Sequence, residues 1–169
     1  MNIGAPLLSS VFMSVPDFIR ELRTTIGHDL LFLSAVEAVV VSDGRVLLAE
    51  RADTGAWSIP GGIVEPGEFA ADVAERELWE ETGVRGAVDR LLLVTTTPPM
   101  AYPNGDRCQF LSMIFQCSYV TGEPRADGEE TTLVRWFPTD ALPDGLQEQD
   151  RRSIELALSE SPTVFDGGR

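Results

Sequence analysis

The stretch from Gly62 to Val84, GIVEPGEFAADVAERELWEETGV, decides the fold of this 169-residue chain. It starts in a turn that contains the pair Pro66-Gly67, and the residues from about Phe69 to Thr82 favour a helix. Gly83 follows, and a glycine in this position commonly ends a helix. The sequence therefore predicts a loop, a helix and a second loop in immediate succession.

Three carboxylates project from one side of this predicted helix. At about 100° per residue, Glu77, Glu80 and Glu81 fall within an arc of roughly 100° that also holds small apolar residues. A half-buried group of carboxylates is unfavourable unless a positive charge neutralises it, and Arg76 alone cannot balance three acids. Mg²⁺ suits a site made of a few carboxylates and substrate phosphates. The alternative is an ordinary solvated acidic helix face.

The spacing around these acids is more specific than the acids themselves. Five residues separate Gly62 from Glu68, seven separate Glu68 from Arg76, and the glutamates, an aliphatic residue and a glycine follow in fixed order. This pattern resembles the Nudix box at every position that the box specifies, and the segment Trp57 to Gly62 resembles the usual lead-in. The resemblance implies an α/β fold, the Nudix α/β/α sandwich with a mixed β-sheet, here with an extra N-terminal helix.

The resemblance also implies an activity and a site. The expected enzyme is a Mg²⁺-dependent pyrophosphohydrolase, for which Mn²⁺ could substitute. The Gly61 carbonyl would ligate the metal together with Glu77, Glu80 and Glu81, and Arg76 would fix a glutamate rotamer. Catalytic roles are expected from Glu77, Glu80, Arg76 and Glu130, and the sequence does not choose the general base among the glutamates because that assignment depends on geometry.

Two polar loops are expected to select the substrate. In the loop from Thr97 to Asp106, Tyr102 could stack on a base and Asp106 could accept hydrogen bonds; a plain hairpin loop is the alternative. The loop from Gly122 to Glu130 precedes a strand that ends in Trp136-Phe137, where family members often supply a further acid. Glu130 is our first choice and Glu129 the second, against a solvated loop. The complete set predicted to bind substrate is Gly62, Glu68, Arg51, Tyr102 and Asp106.

The composition limits the classes of function. The chain has 27 acidic and 13 basic residues, a net charge of −14. Nucleic acid and anionic lipid are therefore disfavoured as partners, since such binding depends on Lys and Arg. There is no apolar run long enough to cross a bilayer. Cys108 and Cys117 lie nine positions apart in one predicted strand, hence on opposite faces, which indicates two core thiols in a reducing cytoplasm.

We predict an N-terminal extension over residues 1–15, a single Nudix domain over residues 16–160 and a C-terminal tail over residues 161–169. Within the domain, Pro16 to Ile26 has apolar residues at helical spacing, and Asp43-Gly44 is typical of a β-hairpin turn. A homodimer is a further hypothesis, because the apolar N-terminal segment and this helix could bury their surfaces on a second subunit. The single histidine, His28, is interpreted as a capping or turn residue. The other predicted elements are strands at Ala35 to Ser42, Arg45 to Arg51, Ala87 to Thr96 and Arg107 to Val120, and a helix at Gln147 to Leu158.

The predicted substrates are nucleotide sugars, ADP-ribose or (d)NTPs, including oxidised ones, and removal of RNA caps ranks lower because the chain is so acidic. A different class of function remains as the alternative, a catalytically silent Nudix-fold nucleotide sensor or regulatory module. Such modules commonly lose carboxylates of the box, whereas all of them are present here.

Overall fold

The computed structural model describes residues 15–167. The predicted N-terminal extension comprises residues 1–15, of which positions 1–14 lie outside the described residues. Within the described part, the helices are α1 Asp17–Ile26, α2 Ala70–Thr82 and α3 Glu148–Leu158. The strands are β1 Leu30–Ser42, β2 Arg45–Arg51, β3 Trp57–Ser58, β4 Gly61–Ile63, β5 Arg85–Thr96, β6 Met100–Ala101, β7 Arg107–Thr121, β8 Thr131–Pro138 and β9 Val164–Phe165.

The long strand β1 connects the whole sheet. It pairs in parallel with β7 from Leu30 to Val40, and with β4 and β2 in antiparallel fashion. The order of the sheet is β3-β2-β1-β7-β5-β9. Asp43 and Gly44 join β1 to β2 with φ angles of 49° and 69°, the left-handed conformations that tight hairpin turns require. The predicted hairpin and the mixed sheet are both confirmed.

Helices α2 and α3 cover opposite faces of this sheet. Val36 and Val40 of β1 pack with Val73 and Leu78 of α2, whereas Val39 of β1 lies in the cluster of α3. This division follows from the alternation of side chains along a strand. The result is the α/β/α sandwich that the resemblance to the Nudix family implied. None of the helices described between residues 15 and 167 is long and apolar enough to cross a membrane.

The extra N-terminal helix is also present. Pro16 immediately precedes α1, and Gly27 follows it. Ile19 is buried against Leu33 of β1 and Phe110 of β7, in a cluster that also contains Tyr102. Helix α1 therefore lies next to the loop that the sequence assigned to substrate binding.

Strand β1 begins at Leu30, five residues before the predicted start at Ala35. The first five residues of β1 pair with the beginning of β7, so their backbone groups are satisfied by a partner that is distant in sequence. The two cysteines of β7 are free and buried, and they belong to the clusters on opposite faces, as expected.

The end of the described chain is attached to the sheet rather than separate from it. Strand β9 pairs in parallel with Leu93 and Val94 of β5. The Arg90 guanidinium donates hydrogen bonds to the carbonyl oxygens of Leu156, Ser159 and Ser161 at 2.9, 2.7 and 2.6 Å. These contacts hold the C-terminal end of α3 and the following segment against β5.

Candidate active site

Strand β4 brings two glycines against the carboxylates of α2. Gly61 pairs with Glu37 of β1, and Gly62 is so close to α2 that a β-carbon there would overlap the Glu77 carboxylate. The carboxylate of Glu81 accepts a hydrogen bond from the backbone N–H of Gly61. Only residues without side chains allow this approach of the strand to the helix.

Arg76 organises one half of the acidic cluster. One of its nitrogens, Nη1, lies 2.9 Å from Glu77 Oε1 and 2.9 Å from Glu80 Oε2. Its Nη2 lies 3.4 Å from the carboxylate of Glu68, which also accepts a hydrogen bond from the Glu65 N–H. The guanidinium thus holds three acids in place. This arrangement supports the predicted role of Arg76 in orienting glutamates.

Glu81 has a different environment. It is 9% exposed, and Glu77 and Glu80 lie four residues and one residue before it on α2. Burial raises the pKa of Glu81 well above its ordinary value, and the charges of Glu77 and Glu130 raise it further. Arg51 and the Gly61 N–H act in the opposite direction without restoring it. The site therefore has more negative charge than its own cations offset.

Burial likewise raises the pKa of Glu77 to about 7, against the effect of Arg76. Among residues 15–167, no three Asp, Glu, His or Cys side chains converge into a ready metal site. Arg76 holds Glu77 and Glu80, while Glu81 turns to Gly61. The donors are nonetheless carboxylate oxygens under mutual repulsion, and such donors suit a hard divalent cation.

A cleft opens beside Glu81. It is bounded by the end of β2, the β3–β4 segment, α2 and the loop before β8. Its lining residues are Arg51, Ala52, Asp53, Ser58, Ile59, Gly61, Glu81, Glu129, Glu130 and Thr131. Arg51 is bound through Nε and Nη2 to the two oxygens of Asp53, at 3.1 and 2.9 Å. This pairing fixes the guanidinium at the cleft.

The structure brings the predicted residues Gly61, Glu77, Glu81, Glu130 and Arg51 together. Glu130 is close enough to Glu77 and Glu81 for its charge to raise the pKa of both. Glu129, the second choice, also lines the cleft, but it is an exposed residue, and the charge that raises the pKa of Glu77 and Glu81 is that of Glu130. Glu80 and Glu68 join the group through Arg76.

Tyr102 and Asp106 have separate surroundings. Burial raises the pKa of Tyr102 to about 12, and the charges of Arg51 and Asp53 reach its hydroxyl, which places the ring near the cleft. The Asp106 carboxylate instead contacts His28 Nδ1 at 2.8 Å, Asn104 Nδ2 at 2.8 Å and Arg23 Nε at 3.4 Å. These contacts join the loop to the end of α1. His28 therefore acts at a turn, as interpreted from the sequence.

Three acids of the site region were not singled out from the sequence. Asp53 is recognisable in retrospect, because it lies two positions after Arg51 at the end of a strand. Asp150 is 7% exposed, and its carboxylate accepts a hydrogen bond from the Ile59 N–H. It lies near Glu37, whose carboxylate also accepts a hydrogen bond from the Gln149 side chain. No local pattern indicates that the carboxyls of Asp150 and Glu37 lie close together, because one residue belongs to α3 and the other to β1.

We expect different outcomes when each of the two glycines of β4 is replaced by alanine. In Gly62→Ala the added methyl meets the end of a flexible side chain, Glu77, so we expect a folded protein with hydrolysis reduced about 10²-fold by misplacement of that carboxylate. In Gly61→Ala the methyl meets the backbone oxygen of Val36, which cannot move without breaking strand pairing. We expect that variant to lose about 3 kcal/mol of unfolding free energy.

Urea denaturation and an activity assay of both variants test this distinction. Equal losses of stability in the two proteins would contradict it, as would full activity of Gly62→Ala.

Comparison with known proteins agrees with this geometry. The family model described as the NUDIX domain matches residues 32–157. A MutT-like protein of Streptomyces ambofaciens is 36% identical over 116 residues, 69% of this chain and 70% of that protein. An ADP-ribose pyrophosphatase of Methanocaldococcus jannaschii is 31% identical over 112 residues, 64% of this chain and 63% of that protein. The crystal structure of a UDP-X diphosphatase superposes with a TM-score of 0.66 at 25% identity, covering 88% of this chain and 74% of that one.

Proposed function

Because the chain belongs to the NUDIX domain family and is a hydrolase of phosphoric anhydride bonds in nucleotide derivatives, we propose that it is a Mg²⁺-dependent pyrophosphohydrolase. It would cleave the diphosphate linkage of a nucleoside diphosphate derivative or a nucleoside triphosphate. The observation that carries the proposal is that the Glu130 carboxyl is close enough to those of Glu77 and Glu81 to raise the pKa of both, with Glu81 and Glu130 lining one cleft beside Gly61.

The groups that would hold Mg²⁺, or Mn²⁺ in its place, are the carboxylates of Glu77, Glu80 and Glu81 and the Gly61 carbonyl. They fit such an ion, because they are hard oxygen donors and because burial disfavours the charged forms of Glu77 and Glu81 in its absence. When bound, the cation would neutralise charge on the phosphate oxygens during cleavage.

Arg51 is the residue of this chain best placed to bind the phosphates. Its guanidinium lines the cleft, and Asp53 holds it in one orientation. A planar guanidinium matches phosphate oxygens in a bidentate way, and a fixed one loses less conformational entropy on binding. Gly62 of β4 and Glu68 of the loop before α2 are proposed to support substrate binding.

In the reaction, a water oxygen forms a bond to phosphorus while the bridging P–O bond breaks, and a base takes the proton of that water. Glu130, Glu77 and Glu80 are the candidates for the base. The position of Glu130 in the lining of the cleft supports it best, because Arg76 already engages the other two.

Nucleotide sugars, ADP-ribose and (d)NTPs, including oxidised ones, are the proposed substrates. Similarity to an ADP-ribose pyrophosphatase and to a UDP-X diphosphatase supports the first two. Tyr102 near the cleft supplies an aromatic ring for a base or sugar. A cytoplasmic location is part of the same proposal, supported by two free thiols.

The test is a screen of product release over a panel that contains a nucleotide sugar, ADP-ribose, and canonical and oxidised dNTPs. We expect hydrolysis of at least one member with Mg²⁺, and none when EDTA removes the cation. Glu81→Gln serves as the control for contaminating activity. Failure to cleave any member, or equal rates for the wild type and the variant, would overturn the proposal.

A further inference from the structure

The loop between β7 and β8 is organised by one exposed carboxylate. Oδ1 of Asp127 accepts hydrogen bonds from the backbone N–H groups of Glu129, Glu130 and Thr131, at 2.9, 3.0 and 2.9 Å. It also lies 3.1 Å from the Thr131 hydroxyl. A carboxylate that collects successive amides in this way holds the backbone of the turn in one conformation.

The same turn is attached to the site on both sides. The Thr131 hydroxyl lies 2.9 Å from the Glu81 carbonyl oxygen, and Thr131 is 1% exposed. On the other side, the Ala52 N–H donates to the Glu130 carbonyl oxygen at 2.8 Å. The backbone of Glu130 is therefore held between α2 and the residue that follows Arg51 in the cleft wall.

Repulsion between carboxylates opposes the position of Glu130 beside α2. The Glu130 carboxylate lies near those of Glu77 and Glu81, and Glu129 adds a further charge to the same short segment. Mutual repulsion would drive the turn away from α2 unless backbone contacts resist it. The hydrogen bonds of Thr131 and Ala52 hold the turn against the site, and the three amide bonds to Asp127 keep the turn in the conformation that these two contacts require.

We propose that Asp127 is a positioning residue, which acts through the backbone of Glu129 to Thr131 to keep Glu130 in the cleft that Glu81 also lines. This inference rests on the proposed function, because it takes Glu130 to act in hydrolysis. Asp127 itself needs only an acceptor oxygen for this task. Its negative charge is not required, since all of its partners are neutral donors.

The chemistry of the side chain supplies matched variants. Asp127→Asn keeps the Oδ1 acceptor, so kcat should stay within about threefold of the wild type. Asp127→Ala removes the acceptor, and we expect kcat to fall about 10²-fold with little change in KM, because a base displaced by about 1 Å loses its geometry.

A double-mutant cycle with Glu130→Gln separates positioning from general stability. If Asp127 acts through Glu130, Asp127→Ala should cost nothing further in the Glu130→Gln background. Hydrogen exchange of the amides at positions 129–131 gives an independent readout, and we expect it to accelerate in Asp127→Ala but not in Asp127→Asn. Equal losses of kcat in both backgrounds, or unchanged exchange in Asp127→Ala, would overturn the inference.

The failure of this inference is distinguishable from failure of the proposed function. A Glu130→Gln variant as active as the wild type would overturn the inference alone, provided that Glu81→Gln still abolishes hydrolysis. Equal rates of hydrolysis for Glu81→Gln and the wild type would instead overturn the proposed function.

Discussion

Replacing Glu81 by glutamine is expected to reduce hydrolysis about 10³-fold and, at the same time, to raise the melting temperature of the metal-free protein by about 3 °C. The activity is lost because the amide cannot supply a charged oxygen donor. The stability rises because the charged form of Glu81 is disfavoured by burial and by the charges of Glu77 and Glu130. Glutamine keeps an acceptor for the Gly61 N–H while it removes the repulsion.

The experiment compares thermal unfolding at pH 8 in EDTA with kcat in Mg²⁺. Asp72→Asn is the matched control, because it removes one negative charge from an exposed position of the same helix. We expect that control to change the melting temperature by less than about 1 °C and to leave hydrolysis intact. A Glu81→Gln protein that is both active and less stable would contradict the account of a strained carboxylate cluster.

The second large effect concerns pH and the buried carboxyl of Asp150. Burial raises its pKa from 3.8 to about 7, and the nearby Arg51 and Ile59 N–H only partly oppose this. Its neighbour Glu37 has a pKa raised to about 8, by burial and then by the charge of Asp150. The Oε2 atom of Glu37 is buried and has no hydrogen-bond partner among the described residues.

Because folding raises the pKa of Asp150, the folded chain binds more protons than the unfolded chain over part of the pH range. Between pH 4 and pH 7 the folded chain holds a proton on Asp150 that the unfolded chain has released, so the unfolding free energy falls as pH rises through this range. A rise of the Asp150 pKa from 3.8 to about 7 corresponds to about 4 kcal/mol, and this stabilisation is fully lost only above about pH 8.

Asp150→Asn should therefore lie within about 1 kcal/mol of the wild type at pH 4.5 and exceed its unfolding free energy by about 4 kcal/mol at pH 8.5. Urea denaturation in EDTA at several pH values measures the difference. Glu21→Gln, at an exposed position of α1, is the control that should leave the slope unchanged. Parallel curves for the wild type and Asp150→Asn would show that Asp150 does not titrate in this way.

Much of the local structure could be predicted from the sequence, because its determinants are close along the chain. Helix α2 runs from Ala70 to Thr82, one residue inside the predicted start, and Gly83 ends it with a φ of 67°. The Asp43-Gly44 turn is also set by adjacent residues, and both of them have the positive φ angles that a tight hairpin turn requires. The early start of β1 and the attachment of β9 escaped prediction, because both depend on pairing with distant strands.

The sequence by itself determined the chemistry of α2. A helix repeats every 3.6 residues, so the spacing of Arg76, Glu77, Glu80 and Glu81 translates directly into one charged group. Only the tertiary structure decided what faces that group. Thr131 meets the Glu81 carbonyl across 50 positions of sequence, and this contact depends on how β8 pairs with β2. Sheet register and loop length set such contacts, and no local period encodes them.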